Sequence, residues 1–295
     1  MASMCGRYST TMDPETLFGV FGVDPGGSVE LENGGADALY GGDTPRPRYN
    51  IGPTTDNPVV RVRAAGDGVV RRRIELMRWG LVPSWAKDPS VGNRMFNARA
   101  ESVSDKPAFR KALATRRCLV PASGFFEWQK LAGPRSTARQ KQPYYITPLD
   151  GSVLAFAGLW EYWRPRAAGY DRTPTADPTG PDDAIVSYTI LTTAAVGAMA
   201  EIHDRMPLIL PAADWDSWLN ETAGAEQVVP LLAPPSPDLV AGLEFRAVSS
   251  RVGAVAHDDA DILRRVEPLT DRSHPGADAD SQPARPLDQP ALPLA

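Results

Sequence analysis

Cysteine and histidine are scarce in this chain: two cysteines, Cys5 and Cys118, and three histidines, His203, His257 and His274, among 295 residues. Two thiols cannot build a disulfide framework, and histidines so scattered do not supply a zinc cluster, so neither a metal nor another cofactor is expected. A run of about eighteen apolar residues is also missing, which excludes a membrane-spanning helix and a membrane partner. The N-terminus lacks the basic-then-apolar pattern of a secretory signal, and no internal repeat is visible. Together these absences predict a cytoplasmic protein. With 42% hydrophobic residues the chain can bury a sizeable core, and its length and composition favour one large domain.

The net charge of −5 argues against nucleic acid at first sight, but the average hides a split. From residue 71 to 141 there are 16 Lys+Arg against 5 Asp+Glu, a local balance of +11 that leaves −16 for the rest. Such asymmetry predicts a basic face of the kind that binds phosphates.

Thr11-Met12-Asp13-Pro14 reads as a helix start, with Leu17, Val20 and Phe21 as an apolar stripe and Gly22 as the stop. Strands are expected over 59–63 and 69–77, as a hairpin turning at Gly66-Asp67-Gly68. Further strands are expected over 144–147, 153–163, 185–192 and 245–248, and a surface helix from Asp214 to Leu219. Segments 26–48 and 164–183, rich in Gly, Pro, Thr and Asp, read as loop insertions, and 269–295 as a disordered tail. The mixture predicts an α+β fold: a single domain around a mostly antiparallel, barrel-like sheet with peripheral short helices.

Met4-Cys5-Gly6-Arg7-Tyr8 carries the most specific chemistry. If Met4 is the start and is removed, Cys5 gains a free α-amine beside its thiol. That amine has a reference pKa of about 7.7–8.0 against about 10.4 for lysine, so far more of it is nucleophilic near neutrality. A 1,2-aminothiol condenses with an aldehyde to a Schiff base and then closes a five-membered thiazolidine. The ring-opened deoxyribose of an abasic site is such an aldehyde. Glu127, set among Phe125, Phe126 and Trp128, has the apolar surroundings that raise a carboxyl pKa and suit it to proton transfer. His203 can exchange protons near neutral pH. Arg99 and Arg205 follow Asn97 and His203 by two residues, the spacing that on a strand shares one face, and are candidate phosphate clamps, with Arg7 a third. Trp85 and Trp128 are candidate stacking platforms for bases of single-stranded DNA. Cys118 reads as a buried structural thiol.

The ordered set Met4 to Tyr8, Tyr49-Asn50-Ile51-Gly52-Pro53, Arg78 to Trp85 (RWGLVPSW), Asn97-Ala98-Arg99-Ala100-Glu101, Cys118 to Trp128 (CLVPASGFFEW) and Ile202 to Pro207 (IHDRMP) resembles the SRAP family, the SOS response-associated peptidases. The likeness runs to about Pro268. It implies an SRAP domain over 5–268 and a covalent sensor of abasic sites in single-stranded DNA, acting in the DNA damage response and associated with the nucleoid. The resemblance assigns Cys5 as the nucleophile, Glu127 to opening the sugar and assisting ring closure, His203 to the Schiff base, and Asn97 to holding the sugar or the amine. Thr192 is a further candidate beside the DNA. A monomer is expected, with some lyase activity through the same Schiff base.

Two departures matter, the loop insertions over 26–48 and 164–183, which exceed the shorter bacterial pattern but fall outside the motifs, and the residues ahead of Met4. The family begins at the methionine directly before its cysteine, whereas Met1-Ala2-Ser3 stand ahead here. Residues 1–4 are therefore expected to be a removed or misassigned leader, with self-cleavage before Cys5 as one route. An N-terminal cysteine peptidase or amidohydrolase, or a single-stranded DNA-binding protein without chemistry, are the alternative readings.

Overall fold

Asp13 opens the first helix, α1 (Pro14–Phe21), by accepting a hydrogen bond from the Thr16 backbone N–H at 2.8 Å. Pro14 occupies a first-turn position where its missing N–H costs nothing, and Gly22 closes the helix in the left-handed conformation at φ 60°. Leu17, Phe18 and Phe21 form its buried stripe, while Val20 faces solvent. The computed structural model describes residues 5–23, 47–64, 68–131, 141–165 and 184–269. The expected leader, nearly all of the two loop insertions and of the tail, and most of the hairpin turn at 66–68 lie outside the described residues.

Twelve strands are present among the described residues. One antiparallel sheet has the order β12 (Leu243–Ala247), β8 (Lys141–Pro148), β7 (Gly124–Lys130), β1 (Tyr8–Thr10) and β2 (Arg48–Ile51). The other runs β11 (Arg205–Pro207), β10 (Ile185–Ala194), β4 (Val70–Trp79), β3 (Asp56–Ala64), β6 (Arg117–Ala122) and β9 (Leu154–Trp163). Because β9 also pairs with β10, this second sheet closes on itself as a ring. Among the described residues only the pairings of β10 with β4 and with β5 (Asn97–Arg99) are parallel. The expected single-domain α+β architecture with a mostly antiparallel, barrel-like sheet is what the chain adopts.

Along β6, β9 and the middle of β3 the ring is buried on both faces. Val60, Leu119 and Leu159 pack with α1, α2 (Arg110–Thr115) and α4 (Trp215–Leu219), whereas the alternate residues Val59, Cys118 and Trp160 join Tyr8, Phe125 and Tyr188. Burial on both faces erases the polar half of the alternation. This is why β6, all six residues buried, escapes a reading based on period two. The six strands that were expected stand within a few residues of their sequence bounds; β6 and β7 instead form across Pro121 and Gly124. Gly124 is required there, since a Cβ would meet the Tyr145 ring at 2.5 Å and the Ile146 carbonyl oxygen at 2.6 Å.

Asn50 joins the end of the domain to its start. Its buried Nδ2 donates to the carbonyls of Val252, Ala254 and His257 at 3.2, 3.0 and 2.9 Å, and its Oδ1 accepts from Arg7 Nη1 at 3.1 Å. Asn50→Ala strands these groups in the interior, and each buried orphan costs about 1–3 kcal/mol. A denaturant midpoint lowered accordingly, with unchanged slope, is expected for this variant.

Candidate active site

The pairing Tyr8↔Phe125 in the β1–β7 ladder lays the residues ahead of β1 alongside Glu127. Cys5 thus meets a residue 122 positions away: its backbone nitrogen donates to Glu127 Oε1 at 2.6 Å. Both residues are 1% exposed. Burial pushes the Glu127 carboxyl up to about 8, against the hydrogen bonds it receives from the Cys5 and Trp128 backbone N–H groups. Burial, reinforced by the Glu127 charge, also raises the Cys5 thiol well above the ordinary thiol range. Asn97, at the start of β5, donates from Nδ2 to the Cys5 carbonyl at 3.2 Å. Cys5 sits at φ 35°, a left-handed conformation that a residue with a Cβ adopts only under strain.

His203 follows α3 (Met199–Ile202), which packs on β7. Its Nδ1 lies 3.0 Å from the Arg205 backbone nitrogen and 3.0 Å from an Asp204 carboxylate oxygen. One ring nitrogen cannot serve both at once. In the neutral imidazole Nδ1 accepts from the Arg205 N–H, which leaves the proton on Nε2; in the imidazolium Nδ1–H turns to Asp204. Asp204 is close enough to Glu127 for its charge to raise that carboxyl further.

The two arginines expected to act as a clamp have different surroundings. Arg205 makes a bidentate pair with Glu101 at 2.5 and 2.8 Å and donates to the Thr192 carbonyl at 2.6 Å. It therefore braces β11 against β10 and the Glu101 turn. Arg99 is exposed and has no partner among the described residues. Arg7 spends its guanidinium on Asn50, Val252 and Gly253, tying down the same segment as Asn50. Thr192 is fully buried and donates to the Ala98 carbonyl at 3.4 Å, joining β10 to β5. Trp85 is 52% exposed, and Trp128 is half-buried against the cluster around Phe126 and Tyr145. Cys118 is buried in the ring, and burial raises its thiol pKa.

Sequence reasoning missed Glu101, although it closes a motif containing Asn97 and Arg99. It also missed a buried hydroxyl network below Cys5, where Tyr8 and Tyr188 share a 2.8 Å hydrogen bond and Asn57 donates to Tyr188 at 3.3 Å. No local pattern announces that network, because its members lie on β1, β3 and β10.

The raised Glu127 carboxyl has a consequence for stability. A group whose folded pKa, about 8, exceeds its unfolded value near 4.5 favours folding below the lower value, and that contribution is lost as pH rises through 8. Glu127→Gln never ionises. Its melting temperature is expected to gain on the unaltered chain progressively between about pH 4.5 and 8. A constant difference across that range would contradict the burial effect.

Among the described residues no group of three or more His, Cys, Asp or Glu side chains is placed to hold a metal. No helix among them is long and apolar enough to cross a membrane. A family model described as SOS response associated peptidase (SRAP) matches residues 4–255. The chain belongs to the SRAP family.

Curated SRAP relatives include abasic site processing protein YoqW of Bacillus subtilis, 32% identical over 264 residues, covering 88% of this chain and 99% of that protein. Abasic site processing protein HMCES of Pongo abelii is 33% identical over 243 residues, covering 75% of this chain and 66% of that protein. Among solved structures, a protein of Bacteroides thetaiotaomicron superposes with a TM-score of 0.67 at 21% identity, covering 89% of this chain and all of the other. A Bordetella bronchiseptica protein does so at 0.59 and 26% identity, over 83% of this chain. The SRAP match spans the Cys5–Glu127–Asn97 contacts and most of the segment that Asn50 anchors.

Proposed function

We propose that this protein processes abasic sites by forming a covalent thiazolidine between Cys5 and the C1′ aldehyde of a ring-opened abasic deoxyribose in single-stranded DNA. The observation that carries the reading is which atom Glu127 engages. The buried carboxyl touches the nitrogen of Cys5 at 2.6 Å, and that nitrogen becomes the α-amine once the residues ahead are gone. The relatives named abasic site processing proteins supply the substrate class.

The amine attacks the aldehyde carbon to give a carbinolamine. Protonation of its hydroxyl expels water and leaves the protonated imine. Glu127, protonated over much of the neutral range, is a suitable donor, and its conjugate base can then take the Sγ proton as sulfur adds to the imine carbon. A positive α-ammonium in processed protein would draw the Glu127 pKa downward, bringing carboxylate and acid into comparable amounts near neutrality. Asn97, bonded to the Cys5 carbonyl, holds the aminothiol in register. In its neutral form His203 would present Nε2–H as a donor for the imine stage or for its reversal. Arg99 is the cation left for a backbone phosphate, and exposed Trp85 offers a face for an unpaired base. Strand cleavage by β-elimination competes at the imine and is suppressed by ring closure.

The raised Cys5 thiol pKa weighs against a thiolate-first hydrolase. One observation does favour a limited peptidase step. Strain at Cys5, beside a carboxyl on its nitrogen and an amide on its carbonyl, suits self-removal of the residues before it, with water adding across the bond ahead of Cys5.

Chains expressed from Met1 and from Met4, checked by intact mass, test the proposal against an abasic single-stranded oligonucleotide. Protein beginning at Cys5 is expected to form a denaturation-resistant adduct, and protein retaining Ala2 is expected to form none. Equal adduct from protein retaining Ala2 would overturn the requirement for the amine.

A further inference from the structure

The +11 segment does not form a single face at the candidate site. Arg71, Arg72 and Arg73 lie on β4, where Arg73 stands directly opposite Arg61 of β3. Like charges in that register repel unless something negative lies between or beside them. The Arg61 guanidinium stacks on the Trp160 ring at 4.3 Å, and that of Arg116 lies 6.0 Å from the same ring. Trp160, on β9, pairs with Tyr188 of β10, which stands four residues or about 13 Å of extended chain before Thr192 at the candidate site.

Three donors around this point are buried and have no acceptor: Arg73 Nε, Arg116 Nε and Trp160 Nε1. Trp160 itself is 8% exposed. Buried N–H groups are nearly always satisfied, so the Trp160 donor, the Arg116 donor beside its ring and the Arg73 donor on the strand facing Arg61 call for an acceptor. The acids nearby are already committed or opposed. Glu75 accepts from Arg61 at 2.6 and 2.9 Å, Glu161 accepts from Arg116 at 2.8 Å, and burial raises the Glu221 carboxyl against the arginines around it. An indole N–H and guanidinium N–H groups recognise an acceptor-only, negatively charged oxyanion.

We infer that the Arg61–Arg73–Arg116–Trp160 cluster binds a phosphate group, either a backbone phosphate of nucleic acid passing it or a free phosphate. The site makes no covalent bond and is independent of Cys5. Its occupancy is readable at one atom, the Trp160 indole N–H.

The test is an indole ¹H–¹⁵N correlation spectrum of the full chain, whose seven tryptophans give separable signals, with Trp160 assigned through Trp160→Phe. Inorganic phosphate, chloride at matched ionic strength, and an undamaged single-stranded oligonucleotide lacking terminal phosphates are titrated separately. A saturable shift of the Trp160 signal is expected with phosphate or with the oligonucleotide, weakened about tenfold or more in both Arg73→Gln and Arg116→Gln. A response to the oligonucleotide alone assigns the site to the nucleic-acid backbone. A response to phosphate alone assigns it to a small phosphate-bearing ligand, and a response to both assigns it to the phosphate group in either setting. No shift with either, a shift matched by chloride, or one undiminished in both folded glutamine variants would overturn the inference; the last two read as general ionic effects and the first as orphans satisfied by water.

Discussion

Cys5→Ala is expected to abolish the denaturation-resistant adduct with abasic single-stranded DNA while leaving adduct trapped by borohydride. The substitution removes sulfur and keeps the α-amine, so imine formation remains available and ring closure does not. Unsealed imine partitions toward hydrolysis and β-elimination, so strand cleavage should rise as the stable adduct disappears. The opposite lesion is a chain whose Cys5 nitrogen stays an amide, which is expected to lose both the stable and the trapped adduct. Denaturing gels with and without reductant separate the two atoms. A thiolate-first mechanism predicts a different pattern, in which Cys5→Ala is inert under either condition.

Glu127→Gln is expected to slow adduct formation by about 10²–10⁴-fold, the usual range for loss of a positioned acid–base group. The glutamine keeps an oxygen able to accept from the Cys5 nitrogen, where the carboxyl now sits at 2.6 Å, so the nucleophile stays in place and the proton transfers are lost. The effect should appear in the rate at saturating oligonucleotide and leave the binding constant nearly unchanged. The rate of the unaltered protein should also vary with pH in the neutral region. Both the amine and Glu127 titrate there, the carboxyl having been pushed to about 8 by burial in the unprocessed chain. Weakened binding with an unchanged maximal rate would assign Glu127 to holding the substrate.

The motifs in the sequence named Cys5, Asn97 and Glu127 together, yet nothing local could show that they touch. The Cys5–Glu127 contact depends on β1 lying beside β7, a pairing between residues more than a hundred positions apart, and Asn97 arrives separately on β5, paired with β10. Helix α1 was legible because its signals are local: an Asp-Pro start, an apolar stripe and a glycine stop. Strand β6 was not, because a strand buried on both faces shows no alternation. Arg205 illustrates the limit of spacing arguments. Two residues on from His203 it does return to the same neighbourhood, but Glu101 waits there across the sheet and takes its charge. Charge counting similarly found the basic segment and could not see that β4 carries part of it away from the candidate site.

The central claim is that one residue contributes both nitrogen and sulfur to the linkage. Mass spectrometry of the purified adduct, intact and after proteolysis and nuclease digestion, tests it most directly. The account predicts protein beginning at Cys5 joined to the abasic strand with loss of one water, and the sugar remnant on the Cys5 peptide alone. An adduct on a lysine, or on a chain that still carries Met4, would contradict it.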